Sequence, residues 1–189
     1  MTKEDISKVQ NYFVQAAIRA KKAGFDGVEI HGGQLSLCSL FISNKFNKRT
    51  DEYGGSDENR ARFLLEIVKK VREVLGNDMI ISSKIDATDE EYGFSESGFI
   101  NTGKFLEKTG IDFIELSGPN PTSPNRNKNE PFFYNETKKI ADILNIPVVC
   151  IGGIKTFEQA DYILKNSKIE YIQWLENYLN SLKSLKNGI

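Results

Sequence analysis

The sequence predicts an α/β protein built from parallel βα units. Three observations carry this reading. Short apolar runs at residues 25–30, 79–85, 111–116 and 146–151 alternate with helix-length amphipathic segments, the pattern of parallel strands joined by crossover helices. The runs hold little charge, as in strands buried on both faces. Glycines punctuate the pattern: Gly24, Gly76 and Gly110 stand where helices should stop, and Gly152-Gly153 follows a strand.

Taken in order, Thr2 with Asp5 forms a capping box that opens the first helix. Its apolar positions are Ile6, Val9, Phe13, Ala16, Ala17 and Ala20. Phe25, Val28 and Ile30 then mark a strand ending in His31, the chain's one histidine. A long irregular stretch follows, from Leu35 to Asn59, of a length that is usually functional or locally structured. A second helix spans 58–75 on Phe63, Leu64, Ile67, Val68 and Val71. The strand at 79–85 places Lys84 near its carboxyl end. Ser95 opens a helix through Phe99, Phe105 and Leu106, and the strand at 111–116 comes next. Residues 117–131, rich in Pro and Asn, read as a loop. A short helix is expected near 140–144, before the strand at 146–151. Thr156 with Gln159 caps a helix on Phe157, Ala160, Ile163 and Leu164, and 168–172 reads as a fifth strand. Five strands suit an open doubly wound sheet. A closed eight-stranded barrel takes about 250 residues, more than the 189 present.

Composition narrows the function classes. A net charge of -1 gives no electrostatic case for nucleic acid or an acidic membrane. No apolar run nears the roughly 18 residues of a membrane span. The polar start, Met1-Thr2-Lys3-Glu4-Asp5, does not read as a signal peptide. Cys38 and Cys150 lie far apart without metal or redox spacing, which points to reduced thiols and a cytoplasmic location. One histidine excludes a multi-histidine metal site.

His31 is the first candidate for chemistry. In parallel sheets the carboxyl ends of strands carry the functional groups, and imidazole titrates near neutrality. On these residues alone, a site histidine and a strand-end histidine bonded to backbone both stand.

Longer stretches narrow the choice. The segments Ala23-Gly24-Phe25-Asp26-Gly27-Val28-Glu29-Ile30-His31-Gly32, Asn47-Lys48-Arg49-Thr50-Asp51-Glu52-Tyr53-Gly54-Gly55-Ser56 and Glu58-Asn59-Arg60-Ala61-Arg62-Phe63-Leu64-Leu65-Glu66-Ile67 resemble the old yellow enzyme family of FMN-dependent oxidoreductases. Gly110-Ile111-Asp112-Phe113-Ile114-Glu115-Leu116-Ser117-Gly118 and Pro147-Val148-Val149-Cys150-Ile151-Gly152-Gly153-Ile154 support the match. The resemblance implies a partial TIM (β/α)8 barrel of about five parallel strands, the fourth to the eighth, over residues 1–172. Residues 173–189 read as a divergent amphipathic tail, with Ile172, Leu175, Leu179 and Leu182 at helical spacing. A first strand left unpaired at one edge invites self-association.

The resemblance also implies roles. His31 and a partner three residues on, here Gln34, would donate hydrogen bonds to a substrate oxygen. Ser36 stands where the family usually has a proton-donating tyrosine, and a serine hydroxyl has a far higher pKa than a phenol near 10. Lys84 matches a cation beside the N1/O2 edge of the flavin. Gly152 and Gly153 match half of a phosphate site. The other half should be Gly-Arg after the last strand, but no arginine follows Arg126. The implied cofactors are FMN, with NAD(P)H as electron donor, and the implied substrate is a small activated alkene such as an enone. Two alternatives stay open: a catalytically impaired barrel fragment, and a flavin-free phosphate-binding barrel enzyme. Arg49, Asp51, Asn59 and Arg60 read as a structural cluster.

Overall fold

A computed structural model describes residues 1–118 and 131–173. The elements run α1 (Lys3–Lys22), β1 (Gly27–Gly32), α2 (Leu37–Ile42), α3 (Asp57–Leu75), β2 (Ile80–Asp86), a 3-10 turn (Glu90–Tyr92), α4 (Glu96–Lys108), β3 (Phe113–Ser117), α5 (Tyr134–Ala141), β4 (Val148–Ile151), α6 (Phe157–Lys165) and β5 (Tyr171–Gln173). Of the tail read at 173–189, Gln173 ends β5 and residues 174–189 lie outside the described residues, as does most of the loop expected at 117–131.

The strand order decides between the two architectures. All pairings are parallel and the order is β1-β2-β3-β4-β5. A doubly wound sheet must reverse its order at a switch point. A sequential order with right-handed crossovers keeps every helix on one face, which is the winding of a barrel arc.

Register sorts the side chains into two faces. One carries Ile30, Ser83, Ile114 and Val148 in a row, and Ile85 with Leu116 in the next. These residues join Phe63, Leu64, Ile67, Leu106 and Ile140 in one buried core. Each such fully buried side chain contributes about 1.5–3 kcal/mol relative to exposure. Ser83 is the polar exception in that face, and its hydroxyl donates to the Ile30 carbonyl at 3.0 Å. The other face carries His31, Lys84 and Glu115 in register, with Asp86 beside Ser117 one row up. The expectation that the first strand is buried on both faces does not hold. Among the described residues β1 pairs only with β2, Glu29 and His31 are exposed, and Phe25 is 65% exposed. An edge strand with one covered face cannot bury both.

The helix signals act as read. Thr2 and Asp5 form the capping box of α1, and Ser95 and Thr156 cap α4 and α6; Ser56, which the sequence reading did not single out, caps α3. The short helix after the Pro-rich loop begins earlier than expected, at Tyr134. Between β1 and α3 the chain builds a six-residue helix, α2, and a knot of side-chain to backbone bonds. The Asn47 amide donates to the carbonyls of Phe41 at 2.6 Å and Tyr53 at 2.7 Å. Arg49 grips Asp51 through two bonds, of 2.9 and 2.6 Å. Arg60 holds the Ile42 carbonyl at 3.0 Å and pairs with Asp57. Phe41 stacks on Phe63 with centroids 4.4 Å apart, tying this loop to α3. These charges are therefore architectural. Gly54 is the tightest point: a Cβ there would lie 2.1 Å from the Arg49 carbonyl oxygen. Gly54→Ala is expected to cost about 2–3 kcal/mol through a clash that only backbone movement can relieve. Urea unfolding of the variant measures it.

Candidate functional site

The carboxyl ends of β2 and β3 set a cation against carboxylates. Lys84 Nζ lies 2.5 Å from Glu115 Oε1 and 3.9 Å from Glu29 Oε1. Glu115 is only 6% exposed, and burial pushes its carboxyl above the usual range while Lys84 pulls it back. From β5, the Gln173 amide nitrogen, turned toward Glu115, donates to Oε2 at 2.9 Å and Oε1 at 3.0 Å. Three strands thus converge on one buried carboxylate.

Beside Lys84 opens a cleft of about 250 Å³. Gln34, Lys84, Ser117, Phe132, Gly152 and Gly153 are among its walls. The hydroxyl of Ser117 is buried and has no hydrogen-bond partner among the described residues. An unmatched buried hydroxyl beside a cation is what a polar ligand edge would satisfy. Gly152 and Gly153 take φ of 82° and 72°, a backbone that side chains rarely adopt. A Cβ on Gly153 would meet the Phe132 ring at 2.9 Å, and the Phe132 amide donates to the Gly152 carbonyl at 2.9 Å. The glycine pair therefore also serves to seat an aromatic wall.

The turn after β1 is strained. Gln34 and Leu35 have φ of 55° and 58°, the two non-glycine residues with positive φ among the described residues. Asp86 anchors them. Its Oδ1 accepts from the Gln34 amide at 2.7 Å and its Oδ2 from the Ser39 hydroxyl. The Leu35 amide also favours the charged form, yet burial still raises this carboxyl above its usual value. Ser36 is the N-cap of α2, and its hydroxyl donates to the His31 carbonyl at 3.0 Å.

Of the six residues singled out from sequence, Gln34, Lys84, Gly152 and Gly153 line the one cleft. His31 stands in register beside Lys84, with its side chain exposed, and Ser36 sits at the helix start; neither is among the cleft's walls. Sequence reasoning missed Glu115, Asp86, Ser117 and Phe132. The signal for Glu115 was present: a carboxylate inside an apolar run must find a partner.

Neither cysteine has site character. Both are free and buried, which pushes the Cys38 thiol up to about 12 and Cys150 to about 11. No described helix is long and apolar enough to cross a membrane.

Comparison with known proteins agrees with this arrangement. The model of the NADH:flavin oxidoreductase / NADH oxidase family matches residues 1–179. An NADH oxidase of Thermoanaerobacter brockii is 34% identical, over 91% of this chain and 27% of its own length. An NADPH dehydrogenase of Halalkalibacterium halodurans is 38% identical, over 91% of this chain and 51% of its own. The solved old yellow enzyme homologue of Zymomonas mobilis superposes with a TM-score of 0.77 at 28% identity, covering 92% of this chain and 49% of that one. The chain thus spans about a quarter to a half of such relatives, and its five-stranded arc is part of their TIM barrel. With the parallel arc, the cation at the end of β2 and the family match in agreement, the chain belongs to the NADH:flavin oxidoreductase / NADH oxidase family.

Proposed function

We propose that this chain provides the carboxyl-terminal wall of an FMN site in an NAD(P)H-dependent oxidoreductase that reduces activated alkenes such as enones. The observation that carries the reading is the convergence of Lys84, the unmatched Ser117 hydroxyl, Gln34 and the Gly152-Gly153 backbone on one cleft. Bound FMN would supply the hydride relay between nicotinamide and substrate. Lys84 would hold the edge of the flavin ring, and Ser117 would offer it a hydroxyl. The backbone at Gly152 and Gly153, ahead of the capped start of α6, would take the phosphate. His31 and Gln34 would donate hydrogen bonds to the substrate oxygen and stabilise charge developing there. Ser36 is committed to the start of α2, so the proton for the substrate carbon would come from solvent.

Titration of the purified chain with FMN, followed by flavin fluorescence, tests the reading. Quenching with a dissociation constant of about 1–100 µM is expected, a loss of roughly 5–8 kcal/mol on release. Riboflavin, which lacks the phosphate, should bind more weakly. Absence of any quenching would overturn it.

The side of β1 left unpaired among the described residues favours a second, compatible reading in which the chain associates with itself through that strand. Light scattering across protein concentration decides it: a monomer at all concentrations rules it out.

A further inference from the structure

We infer that Glu115 is a positioning residue that sets the charge Lys84 presents to the cleft, and so sets the balance of affinity between oxidised and reduced flavin. The inference rests on the flavin reading above.

Lys84 contributes one positive charge to this corner. Glu115, at 2.5 Å, and Glu29, at 3.9 Å, set two negative charges against it. Glu115 is not a wall of the cleft; it lies beneath Lys84 on the neighbouring strand, in register with it. Its own contacts, the Gln173 amide from β5 and the ammonium from β2, are both with residues that line the cleft. Glu29 is exposed, so water screens it. Glu115 is buried, where a carboxylate acts through a lower dielectric and is felt more strongly. An ammonium held this way keeps its place at the edge of the cleft but offers a ligand little net positive field. Such a site has small preference for a ligand that gains negative charge on reduction. Replacing Glu115 by Gln removes that charge while keeping a group able to accept from Lys84, and the ammonium then faces the cleft uncompensated.

The test is a double-mutant cycle on the purified chain, using the affinity for oxidised FMN and for dithionite-reduced FMN. In Glu115→Gln the ratio of reduced to oxidised affinity is expected to rise about tenfold or more over wild type. In Lys84→Met at about pH 6 the same substitution at 115 should change that ratio less than twofold, because with the ammonium gone the buried Glu115 carboxyl takes up a proton and leaves no charge to remove. A purely structural role for Glu115 would move both affinities together and leave the ratio alone. In the absence of flavin, acylation of Lys84 by acetic anhydride, read by peptide mass against exposed Lys165, should rise several-fold in Glu115→Leu, which has no acceptor to hold the ammonium. A ratio unchanged by Glu115→Gln, or equal changes with and without Lys84, would overturn the proposal. So would an unchanged acylation rate in Glu115→Leu. Failure of wild type to bind FMN in either state would instead overturn the flavin reading on which the proposal stands, while a risen acylation rate would still show the Lys84–Glu115 pair.

Discussion

Asp86→Ala is expected to lower the free energy of unfolding by about 3–5 kcal/mol. The carboxylate is buried and its two oxygens serve the Gln34 amide and the Ser39 hydroxyl. Alanine leaves the buried Ser39 hydroxyl without an acceptor, which costs about 1–3 kcal/mol, and frees the part-buried Gln34 amide at a smaller cost. It also releases the two positive-φ residues, Gln34 and Leu35, whose backbone strain is worth about 1–3 kcal/mol each and persists only while the surroundings enforce it. Asp86→Asn keeps one accepting oxygen and should lose about half as much. The midpoints of urea unfolding curves measure both. The pH dependence follows from the direction of the shift. Burial raises the folded carboxyl above its reference of 3.8, so the folded state holds this proton more tightly than the unfolded chain. The stability it contributes is full below 3.8 and is lost as pH rises through the raised folded value. Asp51 acts in the opposite sense. The Arg49 pair holds it down at about 2, so its contribution is present above 3.8 and is lost as pH falls toward 2. Asparagine at 86 should flatten the first slope and leave the second.

The sequence was most legible where local chemistry decides the outcome. Helix starts at Thr2, Ser95 and Thr156, and stops at Gly24, Gly76 and Gly110, are fixed by backbone groups within a few residues. Strand existence followed from apolar runs, and the family match from the loop at 47–56, whose charges turn out to hold that loop together. Whether the sheet was open or part of a barrel was less legible, because strand order is a long-range property; periodicity alone cannot supply it. The exposure of β1 was misread for the same reason, since its sequence is that of a strand with neighbours on both sides. At the site, Lys84 was legible as a strand-end cation, but its partner was not, because the pairing with Glu115 joins residues on different strands and is fixed by register. Asp86 was hidden more deeply: its value lies in the strained turn at Gln34 and Leu35, and nothing in those two side chains announces a positive φ.

Lys84→Met carries the second large expectation, and its sign changes the picture of the site. Removing the ammonium leaves Glu115 buried without its countercharge. Breaking one side of a buried ion pair costs about 3–5 kcal/mol, more than the intact pair contributes, because the remaining charge is uncompensated. Gln173 still donates to the carboxylate, which places the expected loss at the lower end of that range, about 3 kcal/mol near neutral pH. The carboxyl of Glu115 already lies above its reference of 4.5 through burial, and Lys84 is the group that pulls it down. Without Lys84 the folded value rises further, so the loss of stability begins above 4.5 and is complete only once pH has passed the new folded value. Thermal melts of wild type and variant should therefore differ widely at about pH 8 and converge toward about pH 5, where protonation neutralises the orphaned carboxylate. Adding Glu115→Gln to Lys84→Met should restore most of the loss at about pH 8 and erase the convergence. A variant equally destabilised at both pH values would show that Lys84 acts through packing of its methylene stem, and the ion pair would then carry neither the stability nor the charge of this corner of the cleft.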